Sequence, residues 1–125
     1  MNRVIKFRYR YTNGTNWIFQ VFTLAEICNG MPFEVLSDNP LLKNYRYDGE
    51  DQFSGLTDKH GVEIYEGDVV EKCYGSSVKT GVVAWHQERA MFILQDGFNE
   101  PLYQLPLNMI EVIGNVFENP ELLNP

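Results

Sequence analysis

The sequence predicts a mainly β protein with a minor α content, and three observations support this fold class. The first strand alternates strictly between apolar and basic residues, turn-forming pairs recur at short intervals, and aromatic and β-branched residues concentrate between the turns. The 125 residues are 44% hydrophobic and 22% charged, as in globular proteins. The chain is therefore long enough to bury a hydrophobic core.

The N-terminal segment predicts a β-hairpin. Between Val4 and Tyr11 the apolar residues occupy one face, and Lys6, Arg8 and Arg10 occupy the other. Asn13–Gly14 is a pair that tolerates the positive φ angles of a tight turn. Trp17–Phe22, which is aromatic and β-branched, then forms the returning strand.

A short helix follows the hairpin. Thr23 and Glu26 have the spacing of a capping box, and Asn29–Gly30 provides a C-terminal stop. We expect Met31–Leu36 to be extended. The polar stretch Leu41–Asp51 is expected to be an irregular connection, which places a module boundary between residues 1–51 and 52–125.

From residue 52 onward, short apolar runs alternate with turns at regular spacing, a pattern typical of small barrels. The two glycine-led runs Gly67–Val70 and Gly81–Val83 are similar to the opening strands of SH3-like barrels. Asn119–Pro120 predicts a final short helix whose leucines fold back onto the barrel. The second module is thus predicted to be an SH3-like barrel with a short C-terminal helix.

Charge and cysteine content limit the possible functions. The net charge is −7, with seven basic and seven acidic residues in positions 1–62 but three basic and ten acidic residues in positions 63–125. This balance argues against diffuse binding to nucleic acid or anionic lipid. No apolar run approaches the ~20 residues of a membrane span. Free Cys28 and Cys73 and a charged N-terminus favour the cytoplasm.

The sequence contains no recognisable catalytic or metal-binding constellation. His60 and His86 lack a second ligand at metal spacing. Glu66 and Asp68 share one face of a strand, where we expect them to be solvated. Phosphate-binding, dinucleotide-binding and nucleophile-elbow motifs are absent. We expect a protein that is not an enzyme and that uses no cofactor.

Two surfaces of the hairpin are candidates for binding. Lys6, Arg8 and Arg10 could contact phosphates in a nucleic-acid complex, or they could protect an exposed sheet edge from aggregation, which is the favoured interpretation. The returning strand is apolar on both faces, with Ile18 and Phe22 on one face and Trp17, Phe19 and Val21 on the other. One face would pack internally and the other could meet a second subunit, so Ile18 and Phe22 are the candidate self-association residues.

Two segments carry a family resemblance. The first runs from residue 53 to 70 (FSGLTDKHGVEIYEGDVV) and the second from residue 110 to 122 (IEVIGNVFENPEL). Together with the opening Lys6–Arg8, they resemble the YopX family of phages and prophages of low-GC Gram-positive bacteria. The glycines at positions 55, 61, 67 and 114 are expected at turns or strand ends, and Asp58 is expected to cap its own turn.

The resemblance implies a phage or prophage product in a bacterial cytoplasm that assembles into homo-oligomers. It implies no activity, substrate or cofactor, because none is established for the family. The favoured function is a non-enzymatic accessory protein that contacts proteins, either its own copies or those of the host or phage. The alternative is an SH3-like nucleic-acid-binding module that uses the basic strand.

Overall fold

A computed structural model describes residues 4–123, except for the side chain of Tyr74. Arg3 and the last two residues of the predicted second module lie outside this range. The described chain contains nine strands: β1 (Lys6–Thr12), β2 (Trp17–Thr23), β3 (Arg46–Thr57), β4 (Glu63–Tyr65), β5 (Asp68–Tyr74), β6 (Ser77–His86), β7 (Met91–Gln95), β8 (Glu100–Pro101) and β9 (Ile110–Asn115). Two α-helices, α1 (Leu24–Cys28) and α2 (Met31–Asp38), and four short 3-10 turns complete it. The predicted mainly β class is confirmed.

The strands form two sheets within a chain that divides into two compact units, one ending at Phe53 and the other beginning at Ser54. The first sheet has the order β2-β1-β3-β4, and the second has the order β8-β7-β6-β5-β9. Strand β3 begins in the first unit and ends in the second. Neither sheet closes on itself within residues 4–123, so the SH3-like barrel stays a prediction.

The N-terminal hairpin and the first helix are as predicted. β1 and β2 pair in antiparallel register from Lys6 opposite Thr23 to Thr12 opposite Trp17. The capping box is complete, because the Thr23 hydroxyl accepts the Glu26 N–H (3.3 Å) and the Glu26 carboxylate accepts the Thr23 N–H (2.8 Å). The hairpin therefore leads directly into α1.

The expectation that Met31–Leu36 is extended is wrong, because these residues lie in α2. Pro32 occupies the first turn of the helix, where a missing N–H removes no hydrogen bond. The buried Tyr11 hydroxyl donates to the Pro32 carbonyl at 2.7 Å and so ties α2 to β1. Burial, with a smaller effect of Tyr9, raises the pKa of Tyr11 to about 12, so this hydroxyl stays a donor.

The irregular connection expected at Leu41–Asp51 is also wrong from residue 46 onward, where β3 begins. β3 pairs antiparallel with β1, and the register shifts between Arg10 and Tyr11 of β1. Gly49 lies at this irregularity with a φ of 147°, and a side chain there would collide with the Arg10 guanidinium. Glycine is thus required where β3 bulges past Arg10.

Each unit has its own apolar core. In the first unit, the helix-facing side of the hairpin packs with the first 3-10 turn, and the buried residues are Tyr9, Tyr11, Phe22 and Leu42. In the second unit, strands and 3-10 turns together bury Ile64, Val70, Val83, Leu94, Leu102, Leu105 and Ile110. Burial of each such side chain contributes about 1.5–3 kcal/mol to the free energy of unfolding.

Asp58 caps its own turn as predicted, and it also holds a distant strand. Its buried carboxylate accepts the N–H groups of His60 (2.8 Å), Val62 (2.9 Å) and Val112 on β9 (2.9 Å). Burial by itself raises the pKa of this carboxyl group, but the three backbone hydrogen bonds outweigh it and hold the pKa below its ordinary value. Asp58 therefore stabilises the second unit as an anion.

The glycines expected at turns or strand ends lie at such positions, and Gly114 has an additional role in packing. Gly61 and Gly67 adopt φ angles of 80° and 84° at turns, and Gly55 has a φ of 90° near the end of β3. Gly114 lies within β9, and a Cβ there would approach Asn119 Oδ1 to 2.5 Å and Leu122 Cδ1 to 2.9 Å. The absence of a side chain lets the final 3-10 turn (Pro120–Leu123) pack directly on β9.

A buried lysine fastens the loop between β7 and β8. Lys72 on β5 is fully buried, its ammonium group is 3.0 Å from the Asp96 carboxylate, and it also contacts the Glu100 carboxylate. Burial by itself lowers the pKa of Lys72, but the hydrogen bonds that its ammonium group donates to Glu100 and Asp96 outweigh it and raise the pKa. Burial by itself raises the pKa of Asp96, but the Phe98 N–H and Lys72 outweigh it and hold the pKa below its ordinary value, so both groups are charged.

Replacing Asp58 should lower the free energy of unfolding at pH 7 and make it less dependent on acid pH. Because the pKa of Asp58 is lower in the folded protein, its contribution is complete above the unfolded pKa of about 4 and is lost as the pH falls below it. D58A should cost about 2 kcal/mol at pH 7, since it leaves three amide donors without their acceptor. Urea unfolding between pH 7 and pH 2 measures both effects.

The matched variant is D58N, which keeps an acceptor oxygen but cannot titrate. Its free energy of unfolding should fall less with acid than that of the wild type over the same pH range. Equal acid dependence of the wild type and D58N would contradict this role for Asp58.

Replacing Lys72 should destabilise the second unit strongly. K72M leaves the buried Asp96 carboxylate without its cation, which we expect to cost about 3–5 kcal/mol. K79M is the matched control, because Lys79 lies opposite Lys72 on β6 but is exposed, with its ammonium group 4.1 Å from the centre of the Phe98 ring. K79M should cost less than about 1 kcal/mol. Similar losses for the two variants in urea unfolding would refute the assignment.

Candidate interaction surfaces

The strand that carries Lys6, Arg8 and Arg10 is not a sheet edge. β1 lies between β2 and β3 in the first sheet. The favoured interpretation from the sequence, in which these cations protect an exposed edge, is therefore wrong. The main chain of β1 is hydrogen-bonded on both sides, so its side chains act across the face of the sheet.

On that face, two of the three cations meet carboxylates of the following strand. The Arg8 guanidinium is 3.3 Å from the Asp51 carboxylate, and the Arg10 guanidinium contacts the same carboxylate. Arg10 also reaches Asp48 at 3.2 Å. The side chains of Arg8, Arg10 and Asp51 are only 13%, 12% and 7% exposed, so little water screens these contacts.

Aromatic rings complete the basic face. The Arg8 guanidinium carbon lies 5.2 Å from the centre of the Phe19 ring, and the Lys6 ammonium group lies 4.8 Å from the centre of the Phe53 ring. Phe19 in turn stacks on Trp17, with ring centres 6.2 Å apart. The predicted phosphate-binding face is thus a network of cations with carboxylates and rings of the same sheet.

The two residues predicted for self-association lie on the inner face of β2. Phe22 is 4% exposed and packs edge-on against Tyr9, with ring centres 5.4 Å apart. Ile18 is half-buried against the same core. Both therefore contribute to folding, which leaves the outer edge of β2 and its opposite face, where Val21 is exposed, as surfaces for another chain.

The outer edge of β2 carries main-chain groups that point away from the sheet. Main-chain hydrogen bonds from the Asn13 N–H to the Asn16 carbonyl (3.4 Å) and from the Leu24 N–H to the Ile5 carbonyl (3.3 Å) show which opposite residues of the hairpin are hydrogen-bonded to each other. Bonded and non-bonded pairs alternate in antiparallel sheets. The N–H and C=O groups of Phe19 and Val21 therefore point outward.

The other outer strands of the two sheets are short or covered. β4 has three residues, and β8 has two, one of which is Pro101. β9 is met by the turn after β3, where the Lys59 N–H donates to the Ile110 carbonyl at 3.1 Å and Asp58 accepts from Val112. Of the outer strands in residues 4–123, β2 alone is seven residues long with neither a charge nor a proline.

The residues considered for catalysis are held in structural contacts. Asp68, expected to be solvated, is instead 1% exposed, and its carboxylate accepts the Tyr65 N–H at 2.8 Å. His60 is exposed beside Glu111, with its Nε2 atom 3.2 Å from that carboxylate. Cys28 and Cys73 are free thiols, as predicted. Within residues 4–123, no three His, Cys, Asp or Glu side chains converge as metal ligands.

An apolar groove in the first unit was not anticipated from the sequence. It has a volume of about 260 Å³ and is lined by Phe7, Tyr9, Leu24, Ile27 and Glu50. We call it the β1–α1 groove. Its lining residues come from β1, α1 and β3 and are 15 to 43 positions apart from one element to another, so no local motif marks it.

The cluster of Lys72, Asp96 and Glu100 was also missed, because the two carboxylates are 24 and 28 residues away from the lysine in the sequence. The sequence did contain one indication of it. Lys72 is two residues after the buried Val70 on the same strand, so both side chains lie on the inward face. The cluster is closed to a substrate, because the Lys72 and Asp96 side chains are fully buried. Within the described residues, every helix is too short to span a lipid bilayer.

Comparison with known proteins places the chain in a family. The model of the family described as YopX protein matches residues 7–124. Among solved structures, the crystal structure of protein EF1440 from Enterococcus faecalis is similar, with a TM-score of 0.52 and 20% sequence identity over 98% of this chain and 100% of that chain. At this identity the likeness concerns the fold alone. A search of curated proteins finds no match.

The family match covers nearly the whole chain and includes both segments that carried the resemblance. The chain belongs to the YopX family.

Proposed function

We propose that this YopX family protein is a non-enzymatic accessory protein of a phage or prophage, acting in the bacterial cytoplasm through protein–protein contacts and self-assembly. The observation that carries the proposal is the outer edge of β2, a long apolar strand with outward main-chain groups. Such edges pair readily with another strand unless a charge, a proline or a bulge prevents it. β2 has none of these devices.

A second copy of the chain suits this edge better than an unrelated strand. Outward groups of Phe19 and Val21 would pair in antiparallel fashion with the partner subunit's Val21 and Phe19, around a two-fold axis at Gln20. Residues 1–53 carry six basic and six acidic side chains. The edge therefore belongs to the part of the chain with no net charge, so the excess acidic charge of each copy lies in the rest of the sequence.

The alternative of an SH3-like nucleic-acid-binding module has less support. Phosphates would have to compete with the largely buried Asp51 for Arg8 and Arg10, and with the more exposed Asp48 for Arg10. The excess of acidic residues in the second half of the chain opposes phosphate as well. The buried charges of Asp58, Lys72 and Asp96 likewise serve main-chain or ionic contacts, which supports a non-enzymatic role.

The two-fold arrangement predicts that charges at position 20 control the oligomeric mass. Q20K places two ammonium groups opposite each other across the axis, as Q20E does with two carboxylates. Each variant should weaken association on the order of tenfold. An equimolar mixture of Q20K and Q20E should restore association, since opposite charges then face each other. Sedimentation equilibrium across a concentration series measures these masses.

V78K is the control, because it likewise introduces a lysine on a strand, but Val78 is exposed on β6, which lies inside the second sheet. Its mass should equal that of the wild type. A wild-type mass of 14.5 kDa at every concentration would contradict self-assembly. A mixture of Q20K and Q20E that behaves like either variant alone would contradict the pairing at β2.

A further inference from the structure

The two faces of the first sheet differ in charge. Lys6, Arg8 and Arg10 lie on one face of β1, and the alternation of side chains places Phe7 and Tyr9 on the other. Arg46 of β3 pairs with Thr12 and so shares the basic face, whereas Glu50 pairs with Tyr9. The face that contains the β1–α1 groove therefore receives a carboxylate from β3 and no cation from β1.

The helices beside the groove continue this pattern. The segment 24–38, which contains α1 and α2, has three carboxylates and no lysine or arginine. Leu24 and Ile27 of α1 line the groove, and Leu24 is 48% exposed. The groove thus combines apolar walls with one lining carboxylate, that of Glu50.

Aromatic rings form the inner side of the groove. Tyr9 is 6% exposed, and its ring centre lies 5.8 Å from that of Tyr47. Tyr47 in turn packs edge-on with the exposed Phe33 at 5.6 Å. Burial, and then the charge of Glu50, raises the pKa of Tyr9, so the phenol stays neutral and the carboxylate is close enough to influence it. Ring faces beside a carboxylate attract organic cations.

We propose that the β1–α1 groove binds a small organic amine, with its apolar body against Tyr9, Leu24 and Ile27 and its ammonium group at Glu50. A simple metal ion fits poorly, because it would need several oxygen ligands. An anion would be repelled by Glu50. The volume of about 260 Å³ suits a fragment-sized molecule.

Titration with 2-phenylethylamine, followed by protein-detected NMR at low salt, tests this inference. The amine should bind with a dissociation constant of about 1 mM, typical of a fragment, and should shift the signals of Phe7, Tyr9 and Leu24. The neutral 2-phenylethanol, which has the same shape, should bind about fivefold more weakly. E50Q should lower the affinity for the amine to that of the alcohol.

E34Q is the matched control, because Glu34 is an exposed glutamate of α2 that does not line this groove. Its affinity for the amine should equal that of the wild type. Equal affinities for amine and alcohol, no loss in E50Q, or no shift up to about 10 mM amine would each overturn the proposal. Binding of a lysine-containing peptide without binding of the free amine would overturn it in favour of a protein partner.

Discussion

The first sheet depends on a single buried carboxylate shared by two arginines. Asp51 of β3 contacts Arg8 and Arg10 of β1, and all three side chains are largely shielded from water. An unpaired carboxylate at this position would be strongly destabilising, and so would two unpaired guanidinium groups. The three charges are therefore tolerated only together, and their pairing requires β3 to lie beside β1.

This constraint determines which surfaces remain for binding. With β3 on one side of β1 and β2 on the other, the basic face is engaged within its own sheet, and β2 becomes the outer strand. The opposite face carries the helices and the β1–α1 groove. The chain thus exposes an apolar strand edge, for which we propose a second copy as the partner, and a groove lined by one carboxylate, for which we propose an amine. These two surfaces use different residues.

Local sequence was sufficient where local chemistry determines the structure. The hairpin, the capping box of Thr23 and Glu26, and the Asp58 turn each depend on residues a few positions apart. β3 was missed because Asp48, Gly49 and Glu50 all disfavour strands, and only the arginines of β1 and main-chain pairing compensate. Because β3 was missed, β1 was taken to be the edge strand. Its pairing with β3 makes β2 the edge strand instead.

Two further differences have other physical causes. The helix at residues 31–38 was indicated by Pro32, which lies in its first turn just after the N-cap Gly30. The apolar composition of the segment concealed this arrangement. The groove and the Lys72 cluster arise from packing between distant segments, which no spacing in the sequence records. Sequence thus predicted the class and several turns, but not the sites.

The most direct test of the account is a double-mutant cycle between Arg10 and Asp51. The free energies of unfolding of the wild type, R10Q, D51N and the double variant give the coupling energy of the pair. The account predicts a coupling of about 2 kcal/mol, as for hydrogen bonds to charged groups with little water. A coupling below about 0.5 kcal/mol, as found for exposed ion pairs, would contradict it and return the two arginines to the candidates for ligand binding.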